Sequence, residues 1–177
     1  VADFCALREK NQPRLLAIDG ASGTGKSSVL FAGALPQLLS ALGPTAISLR
    51  MRPGSAPEQT LNEILAQRRD HAPVLLIIDQ FEELFTHVSD ASSRQSFAQR
   101  LWQLAAAAQS HISVILTVRS DFVGRCGELV LDDSGLRFDR VLYDEGHRVS
   151  VAQMDRQQLR AVIEKPAERV GLKLERG

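Results

Sequence analysis

A three-layer α/β/α fold with a central, mainly parallel sheet is predicted by three observations on this chain. Short apolar runs of strand length alternate with segments of helical periodicity, with no internal repeat, low-complexity stretch or obvious linker. The first run, Arg14-Leu-Leu-Ala-Ile-Asp19, leads directly into the glycine-rich octet Gly20-Ala-Ser-Gly-Thr-Gly-Lys-Ser27. A later run, Val74-Leu-Leu-Ile-Ile, ends in Asp79, as a buried parallel strand does when it carries a carboxylate to its C-terminal edge.

The octet follows a strand and opens a helix, which is the context a phosphate-binding loop requires. Gly20, Gly23 and Gly25 permit backbone geometries that a side chain would block, so successive N–H groups can turn inward around an anion. Ala21, Ser22, Thr24 and Ser28 complete the cradle, Lys26 reaches the β and γ phosphates, and Ser27 offers a hydroxyl to Mg²⁺. The octet therefore places the chain among the P-loop NTPases, with ATP or ADP and Mg²⁺ as its ligands. Ligands of open α/β sheets lie at the carboxyl ends of the strands, so Asp79 falls beside the loop as a second metal ligand, direct or through water. Glu82 and Glu83 follow within one turn and are candidates to polarise the attacking water, Glu82 being preferred on spacing. Acidic residues are also favoured in a first helical turn by the dipole alone, so both readings stand for each.

The remaining elements follow in order. Leu35-Pro36 predicts a kink or break in the helix after the loop, and Thr45–Arg50 a second strand. The turn Arg52-Pro-Gly-Ser-Ala-Pro57 leads into a helix from Glu58 to Arg69. A longer, alanine-rich helix spans Ser92 to Gln109, with Phe97, Leu101, Leu104 and Ala108 at the three- and four-residue spacing of a face packed on the sheet. Ile112–Val118 is a third strong strand, ending in Arg119-Ser-Asp121-Phe122. A guanidinium at that tip can contact the γ phosphate, or simply pair with Asp121, and Thr117 is placed to buttress it. Arg148–Val151 reads as a short final strand, and Asp155–Val170 as a helix that Pro166 should kink or end. Arg125, Arg137, Arg140, Arg148 and Arg156 supply cations that either complete a neighbouring subunit's site or lie in solvated surface pairs.

Composition bounds the rest. The 177 residues are enough for one domain, and 44% hydrophobic with 24% charged residues is ordinary for a globular protein. Lys plus Arg and Asp plus Glu both total 21, which argues against generic nucleic-acid binding. No apolar run approaches the roughly 18 residues of a membrane span, so the expectation is a cytoplasmic protein without membrane contact. Cys5 and Cys126 read as plain thiols, and His71, His87, His111 and His147 carry no metal-ligand spacing.

Together with Arg52-Pro-Gly54, Asp79-Gln-Phe-Glu-Glu-Leu-Phe85 and Arg119-Ser-Asp-Phe122 with Gly124-Arg125, the octet resembles the novel STAND NTPases, a branch of the signal-transduction ATPases with an AAA-like P-loop core. That resemblance implies a nucleotide switch: a closed ADP form, exchange on a stimulus, and an ATP form that self-associates and activates a fused effector. It implies phosphate and Mg²⁺ on Gly25, Lys26 and Ser27, metal on Asp79, water on Glu82 or Glu83, and γ phosphate on Arg119. It also implies that the Arg119 strand lies between the loop strand and the Asp79 strand. The whole chain, 1–177, is expected to be a single NTPase domain excised from a larger protein with effector and sensor parts. The expected function is Mg²⁺-dependent ATP binding with slow hydrolysis. The alternatives are a non-hydrolysing nucleotide-binding scaffold and, less favoured, a P-loop small-molecule kinase.

Overall fold

The computed structural model describes residues 12–68, 72–107 and 109–172. Five parallel strands form one sheet: β1 (Leu15–Gly20), β2 (Ile47–Met51), β3 (Val74–Ile78), β4 (Ile112–Arg119) and β5 (Arg148–Ser150). Their spatial order is β2-β3-β4-β1-β5, so the Arg119 strand lies between the loop strand and the Asp79 strand, as the resemblance implied. The central strands β3 and β4 are covered on both faces and accordingly consist of nearly unbroken apolar residues. The edge strand β2 instead alternates, burying Leu49 and Met51 and exposing Ser48 and Arg50.

Successive residues along β3 feed two separate cores in alternation. Val74, Leu76 and Ile78 join the larger one, where Phe81 contacts the rings of Phe85, Phe97 and Phe138. Leu75 and Ile77 join the smaller one, closed by Leu30, Leu38 and the partly buried Phe31 of the helical run after the glycine loop. That run comprises α1 (Lys26–Ser28), a π-helical stretch Val29–Ala34 and α2 (Leu35–Leu42). It does not break at Pro36. A proline ring clashes with the preceding turn and has no N–H to give, and the wider π turn lies directly ahead of it.

The other helices are α3 (Pro57–Leu65), α4 (Glu83–Thr86), α5 (Ala91–Ala106), α6 (Phe138–Tyr143) and α7 (Arg156–Arg169). Helix α3 starts at Pro57, a residue pre-set for a first turn, and closes at Leu65; the expected end at Arg69 lies outside the described residues. Asp90 caps α5 by accepting from the Ser93 N–H at 2.8 Å, and Phe97, Ala98, Leu101 and Ala105 are its buried face. Ala108 lies outside the described residues. Helix α7 does not end at Pro166 but runs on to Arg169; none of its residues is buried, so solvent can serve the carbonyl the proline leaves without a donor. Among the described residues no helix is long and apolar enough to cross a membrane. Cys126 is buried, which pushes its thiol up to about 12 and makes it unreactive, while Cys5 and His71 lie outside the described residues.

The loop strand is anchored by a buried acid. Asp19, the penultimate residue of β1, accepts two hydrogen bonds from Arg148 at 2.8 Å each, one from Ser150 at 2.6 Å and one from Ser120 at 3.0 Å. These join the tips of β1, β4 and β5 immediately before the glycine loop. The Arg148 bonds hold the Asp19 carboxyl at about 2, against burial, with Ser150 and Ser120 adding to the effect. A depressed folded value stabilises fully above the ordinary 3.8 and is lost as pH falls toward 2. The pair should therefore contribute roughly 2 kcal/mol of stability at pH 6 that disappears over that window. Urea unfolding between pH 5 and pH 2 is expected to show this loss in the wild type and a flatter profile in Arg148→Met.

Candidate functional site

Parallel register assembles the site. Gly20 lies opposite Arg119, and Ile78 opposite Leu116, so the next residues, Asp79 and Thr117, meet at the carboxyl edge of the sheet. Gly20 has to be glycine because a Cβ there would come within 2.7 Å of the Val151 carbonyl and 2.8 Å of the Thr24 hydroxyl. Gly23 and Gly25 adopt left-handed φ of 78° and 89°, which turn the loop back over the start of α1. Thr24 is buried and donates to the Ala21 carbonyl at 3.0 Å. The Lys26 ammonium donates to the Gly20 and Ala21 carbonyls at 2.8 and 2.9 Å, so its charge lies across the loop it belongs to.

Ser22, Gly23, Gly25, Lys26, Ser27 and Ser28 form one wall of a cleft of about 280 Å³, and Gln80, Glu82, Thr117 and Arg119 form the other. That volume is at the lower end for a small-molecule pocket, which suits the phosphate end of a ligand better than an entire nucleotide.

Asp79 is the centre of the arrangement. Its side chain is 1% exposed. One oxygen accepts from Thr117 at 2.8 Å and from Ser27 at 3.1 Å; the other accepts from Arg50 at 2.5 Å, with Arg52 3.9 Å away. Burial pushes its carboxyl up, but the bonds from Thr117, Arg50 and Ser27 and the charge of Arg50 outweigh this and leave it below the usual range. Thr117 therefore supports Asp79, where the sequence suggested support for Arg119. Its hydroxyl also accepts the Gln80 N–H at 2.9 Å, fixing the only non-glycine residue with positive φ, 58°, among the described residues.

The two glutamates diverge. Glu82 faces the cleft and accepts the backbone N–H of Arg119 at 3.3 Å. Glu83 turns the other way, accepts the Gly54 N–H at 3.2 Å and lies 3.8 Å from His87, so it holds the turn after β2 against α4. The Arg119 guanidinium lines the cleft and also binds both oxygens of Asp121, at 3.1 and 2.7 Å. Of the two partners expected for Arg119, Asp121 is the one that the structure contains. Of the C-terminal arginines, Arg148 is taken up by Asp19, and Arg125 lies 4.8 Å over the Phe85 ring and pairs with Glu128.

A glycine-rich backbone lining the cleft beside an ammonium suits a polyphosphate. A hydroxyl and a carboxylate oxygen 3.1 Å apart form a hard oxygen donor set suited to Mg²⁺. Among the described residues no three His, Cys, Asp or Glu side chains cluster to hold a metal alone, so a cation at this point would take its remaining ligands from water and phosphate. Sequence reasoning missed Arg50, Gln80 and the Asp19 anchor. The only available signals were basic residues bracketing the end of an edge strand and an acid interrupting an apolar run.

The profile of the family Novel STAND NTPase 1 matches residues 3–177, while no curated protein matches the chain. Replacing Glu83 by Gln removes a charged acceptor from the half-buried Gly54 N–H. It is expected to cost about 1 kcal/mol in urea unfolding, a change confined to stability.

Proposed function

The chain belongs to the Novel STAND NTPase 1 family, and on that premise we propose that it binds ATP and ADP with Mg²⁺ and hydrolyses ATP slowly, as the nucleotide switch of a larger signalling protein. The observation that carries this reading is the 3.1 Å contact of Ser27 with Asp79, made beside the Lys26 ammonium inside a glycine loop at the carboxyl edge of the sheet.

In this reading the backbone from Gly20 to Ser28 cradles the phosphates and Lys26 moves from its two carbonyl partners to the β and γ oxygens. Ser27 and Asp79 would hold a Mg²⁺, which would neutralise charge on the bound phosphates. Glu82 accepts the proton of a water whose oxygen attacks the γ phosphorus, while the bond to the β-bridging oxygen breaks and ADP leaves. Arg119 reaches the γ phosphate by exchanging Asp121 for it, a like-for-like trade of one anionic partner for another. That exchange makes the guanidinium sensitive to which nucleotide is bound. Self-association through this domain and coupling to fused effector and sensor parts would convert the change into a signal.

Calorimetric titration with ATP and ADP, with Mg²⁺ and phosphate release followed at several protein concentrations, tests the reading. Turnover per subunit that rises with concentration supports an ATPase completed by a second chain, and binding without turnover favours a scaffold. Lys26→Ala is expected to weaken triphosphate binding by at least about tenfold, and unchanged affinity would remove the site assignment. Glu82→Gln is expected to keep affinity within about twofold and to slow turnover about a hundredfold; equal loss of both would make Glu82 structural.

A further inference from the structure

The second oxygen of Asp79 already has a cation. Arg50, exposed on the outer alternation of β2, sends its guanidinium across the tip of β3 to that oxygen at 2.5 Å. On its other side the guanidinium lies 4.0 Å above the ring of Phe31, in the π-helical stretch that follows the glycine loop. The pair is asymmetric. Asp79 is 1% exposed and fixed by Thr117 and Ser27, whereas the Arg50 side chain is 49% exposed and has water to move into. Arg52, 3.9 Å from the same oxygen, adds a second positive charge.

A divalent ion brought to Asp79 by a bound nucleotide meets this guanidinium at the same carboxylate. A Mg²⁺ on the Ser27-side oxygen and the guanidinium on the other would share a single negative charge and repel across the carboxylate, so each weakens the other's hold. We propose that Arg50 is a built-in competitor of Mg²⁺ for Asp79, displaced when a Mg²⁺–nucleotide complex is bound, and that it thereby sets the Mg²⁺ concentration at which nucleotide binding becomes tight. This rests on the nucleotide reading of the cleft. The stack on Phe31 links the displacement to the helix behind the loop, because leaving Asp79 changes how the guanidinium lies on that ring. Without a divalent ion the arginine keeps the buried carboxylate neutralised, so the loop can hold a nucleotide through Lys26 and its N–H groups alone.

Nucleotide affinity measured calorimetrically across a Mg²⁺ series, and again in chelator, separates the possibilities. Arg50→Gln is expected to lower the half-saturating Mg²⁺ about tenfold and, because Asp79 is then uncompensated, to weaken ADP binding in chelator, so that the loss is confined to the Mg²⁺-free condition. Arg50→Lys, which keeps the charge but not the planar fork, is expected to shift it in the same direction by less, and it carries the test if the glutamine variant does not fold. A half-saturation point that is unchanged or raised overturns the proposal. So does an equal loss of affinity with and without Mg²⁺, which would make Arg50 a phosphate ligand. Failure of the wild type to bind nucleotide under any condition removes the nucleotide reading itself, and this inference with it. Wild-type binding with no effect of Arg50 removes the competitor alone.

Discussion

A carboxylate cut off from water has to be saturated with donors, and Asp79 imposes that requirement on the whole carboxyl edge of the sheet. Its donors come from three separate stretches of chain: Ser27 behind the glycine loop, Thr117 on β4 and Arg50 on β2. All three can reach it only because β3 has β2 on one side and β4 on the other, with β1 next in line. The bonds that make burial of the acid tolerable are therefore the same bonds that gather a hydroxyl, a carboxylate and several cations around one small cleft. Stability and site geometry share one network, so neither can be altered alone at this position.

The sheet carries a second buried acid, and the contrast between them is informative. Asp19 is closed off by a two-pronged arginine and two hydroxyls, with Arg148 itself largely covered and lying 5.5 Å over the Tyr143 ring. Every partner of Asp19 ties strand to strand. Asp79 has one partner, Arg50, that remains half in water. The first acid fixes where the loop starts; the second retains one exchangeable contact beside it.

Much of this architecture is legible in the sequence. Strands β1, β3 and β4 are covered on both faces, so burial had to appear as unbroken apolar runs, and the residues at their tips, Asp79 and Arg119, could be placed with them. The glycine octet was legible because its backbone geometry excludes side chains. The partners of the acids were not. Arg50 meets Asp79 through lateral strand order, and Ser120 and Arg148 meet Asp19 from over a hundred residues away; neither leaves a local pattern. The helices continue across Pro36 and Pro166, where proline judged by its local cost allowed an end, because a π turn and an exposed surface absorb that cost here. The separation of Glu82 from Glu83 depends on the short turn of α4, which adjacent identical letters cannot convey.

The strand order has a consequence for how the molecule comes into being. Strand β1 is made first, yet its neighbours are β4 and β5, the last two strands to be made: Leu15 lies opposite Val114, and Ala17 opposite Arg148. During synthesis β2 and β3 can pair as soon as both have emerged, while the apolar β1 waits for a partner that is about a hundred residues from appearing. Strand β1 therefore cannot be seated before β4 has emerged, and the Arg148 and Ser150 side chains that secure Asp19 arrive later still.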